Sequence, residues 1–243
     1  MRVIGVIQAR MGSTRLPGKV LLPLNGRPII GHIRDRLDAT GCVGEVVVAT
    51  TADPRNDALA TWAEGEGLRC IRHPGEDDIA GRMALVFAET GADAMLKCNG
   101  DCPLVDPSIM RQMVMAFEAN AGLDYLSNKV RFTFPIGMSV EIIGRHAIEW
   151  CDRNLSDPVD RELICNLIRD DRPRFKVASF ELSEDLSRYS LMVDEPHEYE
   201  EMAKLFDNLG QASHLFGLVP VLAFLGHPDR DMTTRTIRMD GAA

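Results

Sequence analysis

The sequence predicts an α/β fold, a mostly parallel sheet covered on both faces by helices. Short, apolar, β-branched runs alternate with helix-period segments over the first 120 residues. Several of the helical segments open on Pro or Asp-Pro, a helix-start signature. No Gly/Ser/Pro linker and no internal repeat divides the 243 residues, so one domain over 1–225 is expected, with 226–243 as an irregular tail.

Val3–Ile7 is apolar throughout, as a strand buried on both faces requires. A loop from Gln8 to Asn25 follows, and Pro28 opens a helix whose apolar positions are Ile29, Ile30, Ile33 and Leu37. Glu45–Thr51 predicts the second strand and Asp53-Pro54 the start of a helix near 54–66. Leu68–Ile71 predicts a short third strand. Asp78 begins a helix with Ile79, Met83, Val86 and Phe87 on one face. Ala92–Cys98 is the next strand, and Asp106-Pro107 caps a helix over 107–120. Beyond that the alternation weakens. Strands are expected at Leu123–Ser127, Ser139–Ile143, Phe175–Leu182 and Leu191–Val193, and helices at Pro158–Arg169 and Glu195–Leu209.

Composition excludes several classes. Hydrophobic residues are 45% and charged residues 26%, which rules out wholesale disorder. The net charge of −9 argues against a nucleic-acid partner for the chain as a whole. Charge is uneven, however: residues 1–36 carry seven cations against Asp35 alone, a net of +6, leaving −15 for the rest. A cationic segment on an acidic protein points to a small anionic ligand. The longest apolar stretch, Leu215 to Leu225, is about half a membrane span and is interrupted by Pro220, so no membrane association is expected. The six cysteines are scattered and lack zinc-finger spacing, which fits free thiols in the cytoplasm. His32, His73 and His146 fall in no catalytic arrangement.

The loop after the first strand, QARMGSTRLPGK from Gln8 to Lys19, lies where open parallel sheets bind ligands. It holds Gly12, Gly18, a Ser13-Thr14 pair and the cations Arg10, Arg15 and Lys19. Glycine lets backbone N–H groups approach phosphate, and the cations neutralise its charge. The spacing is not that of a P-loop, because five residues separate Gly12 from Gly18 and Val20 follows the lysine. Nor does it match the GxGxxG fingerprint.

The segment from Val3 to Leu22 resembles the opening of the cytidylyltransferases of spore-coat polysaccharide synthesis, which are similar to the synthetases of CMP-3-deoxy-manno-octulosonate and CMP-sialic acid. The resemblance extends to about residue 205 through GEDDIAGR at 75–82, NGDCPL at 99–104, FPIGMSVE at 134–141 and MVDEP at 192–196. It implies a Rossmann-like nucleotidyltransferase fold of the glycosyltransferase A type, a three-layer sandwich. It also implies a CTP-dependent transfer to a sugar or sugar acid in surface polysaccharide or glycan biosynthesis.

Asp101 and Asp194 each follow an expected strand and precede x-Pro. Both carboxylates are expected on the sheet edge that carries the basic loop. Two acids aimed at a triphosphate repel it unless a cation lies between, and Mg²⁺ answers that need with carboxylate, phosphate and water oxygens. The competing reading is a pair of turn residues, the role expected of Asp53, Asp106 and Asp157. The resemblance favours Asp101 and Asp194 as metal ligands. It further implies nucleotide contacts by Gln8, Ala9, Arg10, Gly12, Ser13, Arg15 and Lys19, and places Asn99 and Arg82 near the base. Arg10, Arg15 and Lys19 would serve as the catalytic cations.

The acceptor region departs from the family. Relatives often read PDGLDVE where this chain has Pro135-Ile136-Gly137-Met138-Ser139-Val140-Glu141, and REHVT where it has Arg161-Glu162-Leu163-Ile164-Cys165. Glu141 and Arg161 remain as expected acceptor contacts. The related synthetases are commonly dimers, and 125–190 is the stretch expected to serve an acceptor and a homodimer interface. Two alternatives stay open: transfer from another nucleoside triphosphate to a sugar phosphate, and a catalytically silent nucleotide-binding relative.

Overall fold

The computed structural model describes residues 1–210, 213–227 and 235–239. Ten strands, nine α-helices and two short 3-10 helices, Lys19–Leu21 and Pro54–Asn56, are present among them. In chain order they are β1 Val3–Gln8, β2 Pro23–Leu24, β3 Arg27–Pro28, α1 Ile29–Ala39, β4 Val46–Thr51, α2 Asp57–Gly65, β5 Arg69–His73 and α3 Ile79–Thr90. There follow β6 Ala94–Asn99, α4 Pro107–Ala119, β7 Tyr125–Ser127, β8 Glu141–Gly144, α5 Arg145–Asn154, α6 Pro158–Glu162 and α7 Ile164–Asp170. The last are β9 Val177–Leu182, α8 Pro196–Leu209, α9 Leu218–Phe224 and β10 Arg235–Met239.

Eight strands form one sheet in the order β10-β9-β7-β8-β6-β1-β4-β5, and β2 and β3 form a separate two-stranded ribbon. β6, β1, β4 and β5 run parallel, as do β7 and β9. β8 runs antiparallel to both its neighbours, and β10 is antiparallel to β9. The pleat divides β1 between two apolar layers. Val3 and Ile7 pack on one face with α1 and α4, while Ile4 and Val6 pack on the other with α3. That two-sided burial explains why β1 and β4 are apolar without alternation.

The parallel half matches its expected elements to within about two residues. The second half differs in several places. Helix α5 is not foreseen by the sequence pattern; its buried positions Ala147, Ile148 and Cys151 have helical spacing among charged neighbours. The expected helix Pro158–Arg169 is two helices, α6 and α7, parted at Leu163. Leu191–Val193 is no strand: Leu191 N–H donates to Ile136 O at 2.7 Å and Val193 N–H to Asp101 O at 3.0 Å, so this extended segment bonds to two loops. Within the stretch expected to be irregular, Arg235–Met239 forms the edge strand β10. The rest of that expectation, over 228–234 and 240–243, lies outside the described residues. No described helix is long and apolar enough to cross a membrane.

Candidate active site

The loop after β1 turns back on itself through Gly18, whose φ of +70° glycine adopts without penalty. Its N–H donates to Met11 O at 3.1 Å, and Met11 N–H donates to Asn56 Oδ1 at 2.7 Å. A single turn of 3-10 helix over Lys19–Leu21 then points Lys19 inward, leaving it 7% exposed. The loop after β6 comes up beside it. A Cβ on Gly100 would lie 2.7 Å from Ala9 Cβ, so only glycine permits this approach. Gly100 N–H donates to Gln8 O at 2.9 Å. Asp101 is thereby set against the basic loop.

Asp194 reaches the same place from the far end of the chain. Glu195 and Glu198 form a capping box at the start of α8, with Pro196 at its first turn. Glu198 Oε2 accepts from the N–H groups of Asp194 and Glu195 at 2.7 and 2.9 Å. Lys19 Nζ then sits 2.9 Å from Asp101 Oδ2 and 2.9 Å from Asp194 Oδ1. Arg15 also pairs with Asp194. Cys102 lies behind Asp101; burial pushes its thiol well above the usual range, and it donates to Asp101 Oδ1 at 3.3 Å.

A cavity of about 440 Å³ opens over these groups. Gln8, Ala9, Arg10, Gly12, Ser13, Arg15 and Lys19 line it from the first loop, and Arg82, Asn99, Asp101 and Asp194 from elsewhere. Its charges alternate. Arg10 pairs with Glu76 and Asp77 at 3.2 and 3.1 Å, acids to which the sequence pattern assigns no role. The run of acids in GEDD, in a chain with an arginine-rich loop, is the signal that could have found them. Arg82 is buried and donates to Gly75 O and Glu76 O at 3.3 and 2.5 Å, which holds that acidic turn in place. Glu162 and Leu163, from the acceptor-region segment that departs from the family, complete the wall.

A second cavity of about 120 Å³ adjoins the first and shares Asn99 with it. Phe132, Ile136 and Met192 line it together with Lys129 and Ser139. Two of the positions where the sequence departs from its relatives, Ile136 and Ser139, therefore face one space. Gly137 supports it at φ +91°, where a Cβ would meet the backbone of Leu191 and Met192 at 2.4 Å.

Glu141 and Arg161, expected to touch an acceptor, line neither of these two cavities. Glu141 is buried in an ion pair with Lys97 at 2.7 Å. Burial alone would raise its pKa, but the Lys97 ammonium and the Tyr125 hydroxyl help hold it down at about 2. Arg161 forks onto Asp78 at 2.9 Å and Asp152 at 2.7 Å, joining α6 to the N-cap of α3.

The donor set suits a hard divalent cation. Carboxylate oxygens of Asp101 and Asp194 converge on one point, held by the Lys19 ammonium. Among the described residues no cluster of three or more His, Cys, Asp or Glu could hold an ion unaided. Such an ion would take its remaining ligands from phosphate and water.

Residues 4–153 match a family model described as cytidylyltransferase. The chain is 27% identical over 218 residues to the spore coat polysaccharide biosynthesis protein SpsF of Bacillus subtilis, covering 86% of this chain and 88% of that protein. It is 31% identical over 123 residues to the 3-deoxy-manno-octulosonate cytidylyltransferase of Geobacter metallireducens, covering 51% of this chain and 47% of that enzyme. Its fold overlays the structure of a cytidylyltransferase from Leptospira borgpetersenii with a TM-score of 0.87 at 31% identity, over 93% of this chain and 94% of that one.

Proposed function

The chain belongs to the cytidylyltransferase family, and from that premise we propose that it transfers CMP from CTP to a hydroxyl of a sugar or sugar acid in surface polysaccharide or glycan biosynthesis. The acceptor oxygen attacks the α-phosphorus in line. The new O–P bond forms as the bond to the β-phosphate oxygen breaks. Pyrophosphate leaves with that electron pair, and the hydroxyl proton passes to water.

The observation that carries this reading is the convergence of Asp101, Asp194 and Lys19 at the mouth of the basic loop. Lys19, Arg15 and Arg10 are each held against a carboxylate, and a triphosphate offers each a replacement partner. In this reading Arg15 and Lys19 turn from Asp194 and Asp101 to the β- and γ-phosphates and steady the leaving group. Arg10 exchanges Glu76 and Asp77 for the α-phosphate region. Gly12 and Ser13 bring backbone and hydroxyl donors close to the nucleotide, while Ala9, whose N–H donates to Ala49 O at 3.2 Å, lines the cavity beside them. Asp101 and Asp194 would hold Mg²⁺, which when bound neutralises phosphate charge and polarises the α-phosphoryl oxygen. Most of the catalysis is positioning and charge stabilisation. The small cavity, adjoining the large one at Asn99, is the acceptor end in this reading.

Cytoplasmic residence belongs to the same proposal, supported by six free cysteines. A homodimer through 125–190 does too, supported by the exposed apolar side chains Phe132, Ile136, Val159 and Leu163. Sedimentation of the purified chain tests it.

The reaction is tested by a coupled pyrophosphate assay with CTP, Mg²⁺ and a panel of 2-keto sugar acids, beside a thermal-shift ranking of CTP, UTP, GTP and ATP. Pyrophosphate release with CTP and one acceptor is the expected result. Stabilisation by CTP with no release for any acceptor would make the chain a silent relative. A preference for UTP or GTP would reassign the nucleotide.

A further inference from the structure

Lys97 and Glu141 are charged, buried and unused by the transfer chemistry. They face each other across the β6–β8 ladder, Nζ to Oε2 at 2.7 Å, each side chain 5% exposed. Tyr125, on the adjoining strand β7, donates its hydroxyl to Glu141 Oε1 at 2.6 Å. Both carboxylate oxygens are thus engaged. Lys97 Nζ has one further partner, Asn99 Oδ1 at 3.1 Å, and Asn99 is where this network meets the large cavity.

An ammonium has donors and no acceptor, so the face of Asn99 turned to Lys97 is its carbonyl oxygen. What the side chain offers to a ligand is its NH₂ group. Beside it, at the end of the neighbouring parallel strand, stands its register partner Gln8. Gln8 Oε1 is buried with no hydrogen-bond partner. The Asn99 NH₂ donor complements the edge of cytosine, which presents N4–H₂ as donor and N3 and O2 as acceptors. Uracil reverses two of those three, with O4 accepting and N3–H donating.

We propose that Lys97 is a positioning residue for base choice: by engaging the carbonyl oxygen of Asn99 it holds the Asn99 NH₂ group toward the base, as a donor that takes N3 of cytosine and refuses the N3–H of uracil. The proposal rests on the nucleotide-transfer reading above and names the part of the chain that makes it specific. Glu141 keeps the lysine charged at this depth, and Tyr125 keeps Glu141 from turning away. Lys97, Glu141 and Tyr125 are hydrogen-bonded to one another in a chain, which gives Asn99 the rigid backing that a base-reading group requires.

The test measures dissociation constants of CTP and UTP, each with Mg²⁺, by calorimetry on the full chain, so that no acceptor is needed. The paired substitution Lys97→Met with Glu141→Gln removes both charges together and leaves neither orphaned. Its CTP-over-UTP ratio is expected to fall about tenfold, the worth of one hydrogen bond, while Lys97→Arg retains the ratio. Asn99→Asp supplies a second test outside the buried pair. It replaces the donor by an acceptor and is expected to lower the ratio by at least about tenfold. Equal losses for both nucleotides in these variants would reduce the network to a structural one and overturn the proposal. A wild-type chain without preference for CTP would instead overturn the transfer reading itself.

Discussion

Asp101 and Asp194 share one ammonium, that of Lys19, at 2.9 Å each. Without it the two carboxylates face a common gap, and Arg15 alone offsets them on the Asp194 side. The Lys19→Ala variant is therefore expected to keep its fold and lose about 10²–10³ in pyrophosphate release. The vacated gap is a better cation site, so Mg²⁺ without nucleotide should raise the melting temperature of Lys19→Ala more than that of wild type. Wild-type-like release would take Lys19 out of the chemistry. At this scale much was legible in the sequence, because Gln8 to Lys19 is one covalent run whose cations and glycines state their purpose together. The ion pairs of Glu141 and Arg161 were not legible, because their partners, Lys97 and Asp78, are brought to them by strand register and helix packing. No local pattern records either.

Elements decide how far the site tolerates change. The loop carrying Ile136 is stitched to the segment leading to Asp194: Ile136 N–H donates to Tyr189 O at 2.9 Å and Leu191 N–H to Ile136 O at 2.7 Å. Gly137 lies in this seam at φ +91°, and a methyl group there would stand only 2.4 Å from the Leu191 and Met192 backbone. Gly137→Ala is expected to force the two segments apart, cost roughly 1–3 kcal/mol and lower turnover by displacing Asp194. Urea denaturation and the pyrophosphate assay check it; a variant as stable and active as wild type would mean that the seam is slack. The seam also explains why the second half of the chain was harder to read. Leu191–Val193 has a strand's composition but spends its hydrogen bonds on loops, and α5 hides three apolar positions among charges. The parallel half was legible because strands buried on both faces leave apolar runs that little else explains.

For the whole molecule, acid stability follows from two buried groups on different layers. His32 donates from Nε2 to Leu24 O at 2.8 Å, and its Nδ1 is buried without a partner. Burial holds its pKa below 6.5, so its contribution to stability is present above that value and lost as pH falls below it. Glu141 titrates at about 2 against an ordinary 4.5, so its contribution is present above 4.5 and lost as pH falls toward 2. Unfolding free energy from urea titrations should decline in two stages, first below about pH 6.5 and again below about pH 4.5. His32→Gln should abolish the first stage and leave the second; a single stage in wild type would contradict this. The bridge between Ile136 and Ser190 has a longer reach still. On the proposed reading it ties the acceptor end at 135–139 to the segment that carries Asp194. A lineage that reshapes residues 135–139 to admit a new glycan precursor also nudges Asp194, so new specificity would arrive together with compensating substitutions near 189–192.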